Sequence, residues 1–172
     1  DEQVWAIINR EEAYGGSKNW KKLKKTVRDV YGYDYILTTH QGRGAENILS
    51  QLKISQGDYV TGNMYFTTTR AHQEMNGAKF VDIIIDEAHD PLSGHPFNGN
   101  IDLTKLQGFI DKIEAKKIPY GCLAVTVNLA GWQHVSMQTI KDVYELCQTH
   151  NIAVFFNATR CVQNNYFMNE PE

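Results

Sequence analysis

Residues 40–45 read His-Gln-Gly-Arg-Gly-Ala and combine two glycines and an arginine just before a helical pattern. Backbone N–H groups at a helix N-terminus favour anions, and glycines let an anion approach closely because they lack a Cβ atom. We therefore expect Gln41, Gly42 and Arg43 to hold a phosphate-type group; the alternative is a tight turn with Arg43 solvated. Neither G-x-G-x-x-G nor G-x-x-x-x-G-K-[ST] occurs, so a nucleotide-binding module is not indicated.

Three further segments place polar or aromatic residues where apolar runs end. Phe66 and Thr67 lie in "NMYFTTTR", Asn128 lies in "TVNLAG" and Arg160 closes "NATR". An aromatic ring there either stacks on a flat ligand or packs in the core, and a polar side chain either caps a loop or contacts a ligand. If the runs are strands of one parallel sheet, these side chains meet at the edge where ligands bind.

Two other patterns in the sequence, an Asp-Glu-Ala-His segment and the histidines and cysteines, do not indicate a functional site. Residues 83–90 read "IIIDEAHD", a strand end typical of helicase ATPases, but those enzymes need a phosphate-binding loop that is missing here. We interpret this segment as an acidic turn at a strand end. The six histidines and three cysteines lack zinc-ligand spacing, so no metal site built from them is expected.

The spacing of apolar residues predicts the elements that position these segments. Ser17 or Asn19 is expected to cap a helix that Gly32 ends. Further helices are predicted at 44–53, 102–117 and 137–150, the last capped by Ser136, and strands at 34–39, 58–66, 78–86, 120–129 and 152–160. This alternation predicts the α/β class, with a mostly parallel sheet and helices on both faces.

Composition narrows the partners and the compartment. The 172 residues carry a net charge of −3, which gives no indication of a nucleic-acid partner. No apolar run approaches the roughly 18 residues of a spanning helix, so no membrane partner is expected. Three cysteines without C-x-x-C spacing are typical of buried thiols in a reducing compartment, which predicts a cytoplasmic location. The chain starts without methionine, and we expect it to be a piece of a longer protein.

Six segments occur in an order that is shared with a known family. They are "EEAYGGS", "THQGRGAEN", "GNMYFTTTR", "LAVTVNLAG", "VSM" and "ATRCVQNNYF". The chain resembles the aromatic amino-acid β-eliminating lyases, which depend on pyridoxal 5′-phosphate, and it resembles their tyrosine-cleaving branch more than their tryptophan-cleaving branch. The resemblance implies the aspartate-aminotransferase-like fold (fold type I). Residues 1–172 would then be one α/β segment of the large cofactor-binding domain, with the small C-terminal domain outside the chain.

The resemblance also implies which residues hold the cofactor. Gln41, Gly42 and Arg43 would surround its phosphate, Phe66 would stack on its pyridine ring, and Arg160 would lie near its phenolic oxygen.

Substrate residues follow from the same resemblance. Asn128 would contact the phenolic oxygen and the carboxylate of an aromatic amino acid, and Thr67 would line the substrate ring. Tyr14 would act as the acid towards the leaving group, reaching the site of a neighbouring subunit in a homo-oligomer. A potassium-like cation is also implied, with Glu46 as the candidate ligand.

Three departures from the family bear on activity. Asn157 occupies the position of the acid that faces the pyridine nitrogen, and a neutral amide supplies no charge there. The Ser-x-Lys-Lys context of the Schiff-base lysine does not occur in the 172 residues. Trp132 and His134 add bulk where the family reads Gly-Gly-Gln-Pro, which would either distort the turn after Asn128 or mark a relaxed copy of the gene.

Two functions are therefore weighed. The first is a segment of a carbon–carbon lyase that converts tyrosine to phenol, pyruvate and ammonia, with an indole-releasing lyase as a less favoured variant. The second is a truncated or degenerate non-catalytic paralogue that keeps the fold and the phosphate-binding loop.

Overall fold

The chain forms two compact units, which are described separately. A computed structural model describes residues 1–169, without the side chain of the last of these. The first unit is Asp1–His40 and the second is Gln41–Glu172. The predicted α/β organisation lies in the second unit. The assignment of residues 1–172 to one large domain, with a small domain elsewhere, stays a prediction.

The first unit contains two helices, α1 (Glu2–Ile8) and α2 (Lys18–Tyr31). The Ser17 hydroxyl accepts a hydrogen bond from the backbone N–H of Trp20 at 3.2 Å, which caps α2. Gly32 ends the helix in the left-handed conformation with φ 76°, where a residue without Cβ is favoured. The predicted helix is therefore confirmed together with its cap and its end, whereas α1 was not predicted.

The second unit is built on a four-stranded parallel sheet. Its strands are β1 (Tyr59–Gly62), β2 (Lys79–Asp82), β3 (Tyr120–Ala124) and β4 (Ala153–Asn157). They lie in the order β2-β1-β3-β4, and all three pairings are parallel. Four of the five predicted strands form, and the predicted parallel α/β class is confirmed.

Five helices precede, connect or follow these strands. They are α3 (Gly42–Lys53), α4 (Thr67–Met75), α5 (Leu103–Ile113), α6 (Met137–Thr149) and α7 (Cys161–Asn169), with short 3₁₀ turns at Asp86–His89 and Ala115–Lys117. Ser136 caps α6 as predicted, accepting a hydrogen bond from the backbone N–H of Thr139 at 3.1 Å. No helix within residues 1–169 is long and apolar enough to cross a membrane.

Two apolar clusters cover the two faces of the sheet. Tyr120 and Cys122 of β3 belong to one cluster, with Ile54 next to the end of α3. Leu123 belongs to the other, together with Leu106 of α5 and further residues of α6. Because successive side chains of a strand point to opposite faces, the two clusters lie on opposite sides of β3. Helices on both faces agree with the prediction.

One predicted strand is wrong. Residues 34–39 belong to no strand in the described part of the chain. Tyr35 and Leu37 are 94% and 80% exposed, so the apolar pattern that suggested a strand buries little surface here. A strand gains stability from a hydrogen-bonded neighbour and from packing on its faces, and local sequence alone supplies neither.

Gly62 marks a close approach between β1 and β3. A Cβ atom at this position would lie 2.8 Å from the carbonyl oxygen of Cys122 and 3.1 Å from the Phe80 ring. We expect Gly62→Ala to lower the free energy of unfolding by roughly 1–3 kcal/mol, because this backbone neighbour can move only by straining the sheet. Urea denaturation measures the change.

Gly108 provides the matched control, because it lies inside α5 with nothing within 4 Å of an added Cβ. Gly108→Ala is expected to raise the free energy of unfolding by roughly 0.5–1 kcal/mol through helix propensity. Equal effects of the two substitutions would contradict the close approach at Gly62.

The cysteines behave largely as predicted. Cys122 and Cys147 are buried thiols, while Cys161 is half-buried, and none of the three forms a disulfide. Burial raises the pKa of the Cys122 thiol to about 12. Burial also raises the pKa of the Cys147 thiol to about 11. Both groups are therefore protonated near neutral pH.

Candidate active site

A cavity of about 300 Å³ opens at the carboxyl ends of the strands in the second unit. Segments that follow β1, β3 and β4 form three of its walls, and the N-terminus of α3 forms the fourth. Ligands of open α/β sheets bind at this edge because the loops gather there. The expectation that the polar segments of the sequence converge at one edge is confirmed.

Most of the site residues predicted from the sequence line this cavity. These are Gln41, Gly42, Arg43, Glu46, Phe66, Asn128, Asn157 and Arg160. Their individual roles stay predictions.

Two proposed residues lie elsewhere. Thr67 does not line the cavity; it begins α4, and the neighbouring Thr68 lines the cavity instead. The strand before it ends at Gly62, so the prediction that Phe66 and Thr67 close a strand is wrong. Tyr14 belongs to the first unit, where it is fully exposed.

The N-terminus of α3 forms one end of the cavity. Gln41 is the N-cap residue in an extended conformation, and its side chain does not cap the helix. The backbone N–H groups of Gly44 and Ala45 bond back to the Gln41 carbonyl oxygen at 2.9 and 3.3 Å. The preceding N–H groups, those of Gly42 and Arg43, have no partner inside the helix by its geometry. Their donors and the positive end of the helix dipole suit a phosphate.

A hairpin loop carries Asn128 into the cavity. The backbone N–H of Val127 bonds to the carbonyl oxygen of Gln133 at 2.9 Å, and that of Gly131 bonds to the Asn128 carbonyl oxygen at 3.1 Å. The Asn128 Oδ1 atom is buried and has no hydrogen-bond partner in the described residues. An unpaired buried amide is costly, so a bound ligand that pairs with this amide would be favoured.

Asn63 is a site residue that the sequence reasoning missed. Its side chain is completely buried, and its Nδ2 donates to the carbonyl oxygens of Gly99 and Ala124 at 2.8 and 2.9 Å. Its Oδ1 accepts from the backbone N–H of Ala124 at 2.9 Å. Asn63 therefore joins the end of β1 to the end of β3 beneath the cavity. A polar residue directly after the apolar run of β1 was the available signal.

Asn157 holds a fixed amide orientation at the end of β4. Its Oδ1 accepts hydrogen bonds from the Thr159 hydroxyl at 2.6 Å and from the Thr159 backbone N–H at 3.3 Å. Because these bonds occupy the oxygen, the NH₂ group is the part of the amide that remains to meet a ligand. Asn157 thus presents a donor rather than an acceptor.

Glu46 connects α3 to α4. Its carboxylate accepts hydrogen bonds from the hydroxyls of Thr68 at 2.8 Å and Thr69 at 2.6 Å. A carboxylate offers about four lone-pair sites, so this pair leaves some of them for a further partner.

The bulk of Trp132 and His134 is accommodated by the hairpin loop, which remains closed. The ring of Trp132 lies against Arg160, with the guanidinium carbon 3.5 Å from the ring centroid. The ring of His134 stacks on Phe167 with centroids 4.0 Å apart and an interplanar angle of 15°. Both side chains therefore have aromatic or cationic neighbours, and the choice between a distorted turn and a relaxed copy of the gene stays a prediction.

The "DEAH" segment is an acidic turn, as interpreted from the sequence. Asp86–His89 forms a single 3₁₀ turn outside the cavity. Lys105 donates a hydrogen bond to Asp86 at 2.6 Å, and this bond and its charge hold the pKa of that carboxyl below its usual range. Within residues 1–169, no group of three or more histidine, cysteine or acidic side chains is placed to hold a metal ion.

Stability is expected to fall in mild acid because of His134. Burial lowers its pKa below the ordinary value of 6.5, so the folded state resists a proton that the unfolded chain accepts. Above pH 6.5, neutral His134 makes its full contribution to the free energy of unfolding. This contribution is lost as the pH falls from 6.5 towards the lowered pKa of the folded state.

Urea denaturation at pH 7 and pH 5 measures this effect. His134→Phe keeps an aromatic ring against Phe167 and is expected to lose less stability between the two pH values than the unchanged chain does. His89→Asn, at an exposed position of the acidic turn, serves as the control. An unchanged difference between pH 7 and pH 5 in His134→Phe would rule out this origin.

Comparison with known proteins gives close relatives over the whole chain. A family model described as "Beta-eliminating lyase" matches residues 1–171. The tyrosine phenol-lyase of Pasteurella multocida (strain Pm70) is 60% identical over 172 residues, which is all of this chain and 38% of that protein. The tyrosine phenol-lyase of Fusobacterium nucleatum subsp. nucleatum is 58% identical over the same length, 37% of that protein. The chain thus spans less than two fifths of the length of these curated relatives.

Solved structures with low sequence identity share the fold. Alanine aminotransferase from Pyrococcus furiosus superimposes with a TM-score of 0.67 at 16% identity, covering 90% of this chain and 38% of that one. Aspartate aminotransferase from Thermotoga maritima gives a TM-score of 0.61 at 11% identity, covering 80% and 35% of the two chains. The predicted aspartate-aminotransferase-like fold (fold type I) is confirmed.

Proposed function

Because the chain belongs to the beta-eliminating lyase family, we propose that it forms the cofactor-binding part of a pyridoxal-phosphate-dependent lyase that converts L-tyrosine to phenol, pyruvate and ammonia. The observation that carries the proposal is the cavity in which eight of the expected site residues meet. The chain spans 38% of the first of these relatives, so the proposed activity is that of the whole lyase rather than of these residues alone.

Two structural observations support the cofactor. At the N-terminus of α3, the backbone N–H groups of Gly42 and Arg43 have no partner within the helix by its geometry, which fits a phosphate group. The unpaired Oδ1 of Asn128 lies in the same cavity and can accept a hydrogen bond from a donor group of the ligand. When bound, pyridoxal phosphate supplies a sink for the electrons released at the substrate α-carbon.

The remaining residues orient the cofactor. Phe66 would pack its ring on the pyridine face, and Arg160 would bring a positive charge near the phenolic oxygen. Asn157 donates its NH₂ group to the pyridine nitrogen, because Thr159 occupies its oxygen.

Other residues act on the substrate. Asn128 would bind the carboxylate of the aromatic amino acid. Thr67 would lie beside the aromatic ring, although in this structure its neighbour Thr68 is the threonine that lines the cavity. Tyr14 would serve as the acid towards the leaving group, giving the proton that lets phenol depart from the substrate. Since Tyr14 belongs to the first unit, we include in the proposal that it serves a neighbouring subunit of a homo-oligomer.

A monovalent cation such as potassium belongs to the proposal, with Glu46 as its carboxylate ligand, because two threonine hydroxyls leave part of that carboxylate available. We also propose a cytoplasmic location, which suits three cysteines without a disulfide.

Titration with pyridoxal phosphate tests the proposal. We expect the chain to bind it, as measured by calorimetry, and expect Arg43→Gln to weaken binding roughly tenfold because a charge-assisted hydrogen bond to phosphate is lost. Lys112→Gln in the last turn of α5 removes the same charge away from the cavity and should leave the affinity unchanged. Failure of the unchanged chain to bind, or equal effects of both substitutions, would refute the proposed cofactor site.

A further inference from the structure

Arg160 lies between two cavities. It lines the candidate cavity, and it also lines a neighbouring cavity of about 400 Å³ together with Trp132 and Phe167. Its backbone is fixed where α7 begins, because the backbone N–H of Asn164 bonds to the Arg160 carbonyl oxygen at 3.0 Å. That bond leaves the long side chain to be oriented by other contacts.

Trp132 supplies a contact of that kind. The Arg160 guanidinium carbon lies 3.5 Å from the centroid of the Trp132 ring, well within the range of a cation–π interaction. No carboxylate within residues 1–169 pairs with Arg160. The aromatic face, rather than an ion pair, therefore restrains the guanidinium.

The backbone conformation of Trp132 indicates that its contact with Arg160 is kept despite local backbone strain. Trp132 has φ 68°, in the left-handed region that residues with a Cβ atom disfavour, and it follows Gly131 with φ 77°. The side chain is 53% exposed, so burial alone does little to offset the backbone strain. A glycine would fit this turn better, and it would lose the ring.

We propose that Trp132 is a positioning residue that holds Arg160 ready to bind an anionic oxygen in the candidate cavity. The N–H groups of a guanidinium point outward in the guanidinium plane. When the flat face of the guanidinium lies on an aromatic ring, these N–H groups remain available for hydrogen bonds. A restrained side chain also loses less conformational freedom when the ligand arrives. The inference rests on the proposed function for the identity of that anion, the phenolic oxygen of pyridoxal phosphate.

Substitutions at Trp132 separate positioning from a structural role. We expect Trp132→Leu, which keeps the backbone strain and removes the aromatic face, to weaken binding of pyridoxal phosphate about two- to fivefold. Trp132→Phe keeps a ring and should restore most of the affinity. Trp132→Gly relieves the strain, so its melting temperature should be unchanged or higher while its affinity falls. A purely structural role would instead make affinity follow stability.

A double substitution tests whether Trp132 acts through Arg160. In an Arg160→Gln background, Trp132→Leu should cause no further loss of affinity, because the cation that the ring holds is gone. Full additivity of the two substitutions, or unchanged affinity in both Trp132→Leu and Trp132→Gly, would overturn the inference.

A second measurement needs no cofactor. Nitrogen-15 relaxation of the Arg160 Nε–H group in the ligand-free chain should show a restrained side chain that becomes mobile in Trp132→Leu. If pyridoxal phosphate fails to bind the unchanged chain, the proposed function falls and this measurement decides the positioning inference alone. Equal mobility in the two chains would then overturn it.

Discussion

Asn63→Ala is expected to lower the free energy of unfolding by on the order of 3 to 5 kcal/mol. The substitution removes the side-chain partner of the buried Gly99 carbonyl oxygen and of the half-buried carbonyl oxygen and backbone N–H of Ala124. Each unpaired buried group costs roughly 1–3 kcal/mol, and typical domains are stable by only about 5–15 kcal/mol in total. Urea denaturation followed by circular dichroism measures the loss.

The same substitution should also weaken ligand binding, because Asn63 joins the ends of β1 and β3 under the cavity. Asn47→Ala is the control: Asn47 lies in α3 and makes one long hydrogen bond, 3.5 Å from Gln51 Nε2. Its effect should stay within about 0.5 kcal/mol. A loss of under about 1 kcal/mol for Asn63→Ala would show that water replaces the missing amide and that the junction is not needed.

Asn157→Asp is expected to strengthen binding of pyridoxal phosphate roughly 10- to 100-fold and to raise the pKa of its pyridine nitrogen. An aspartate can accept the Thr159 hydrogen bonds with one oxygen and a pyridinium N–H with the other. The amide of Asn157 has its oxygen occupied by Thr159 at 2.6 Å and offers only donors, which favour an unprotonated nitrogen. The change therefore exchanges a neutral contact for an ion pair.

Nitrogen-15 chemical shifts of labelled pyridoxal phosphate report the protonation directly, and calorimetry reports the affinity. Asn151→Asp introduces the same charge at an exposed position before β4 and should change neither quantity. An unaltered pyridine shift in Asn157→Asp would mean that residue 157 does not face the ring nitrogen.

The helices with capping residues were the most predictable elements. Ser17 and Ser136 both cap the helices that they were expected to cap, because a side-chain oxygen next to an amphipathic run is a local signal. The helix α4 was missed because its sequence begins with three threonines, whose β-branched side chains favour strands. The strand predicted at 34–39 does not form. Its local pattern suits a strand, but within residues 1–169 no neighbouring strand pairs with it.

Some residues of the candidate site could be predicted from local sequence, and others depend on distant contacts. That Gln41–Arg43 lie at a helix start on the cavity could be predicted, because glycines before a helical pattern are visible in the sequence, while their binding of an anion stays a prediction. Asn63 could not be assigned, since its partners lie 36 and 61 residues away along the chain. The stacking of Arg160 on Trp132 likewise depends on a loop and a helix that only the fold brings together.

The strand order β2-β1-β3-β4 has a consequence for folding and for cellular lifetime. The cavity takes one wall from the start of the second unit and another from the segment after β4. Parallel sheets with such distant pairings fold slowly, and these two walls meet only after β4 has joined the sheet. A ligand that binds there favours the fully assembled sheet over every partly folded form by mass action. A ligand of this cavity would therefore lower the population of the partly folded forms that proteases cut.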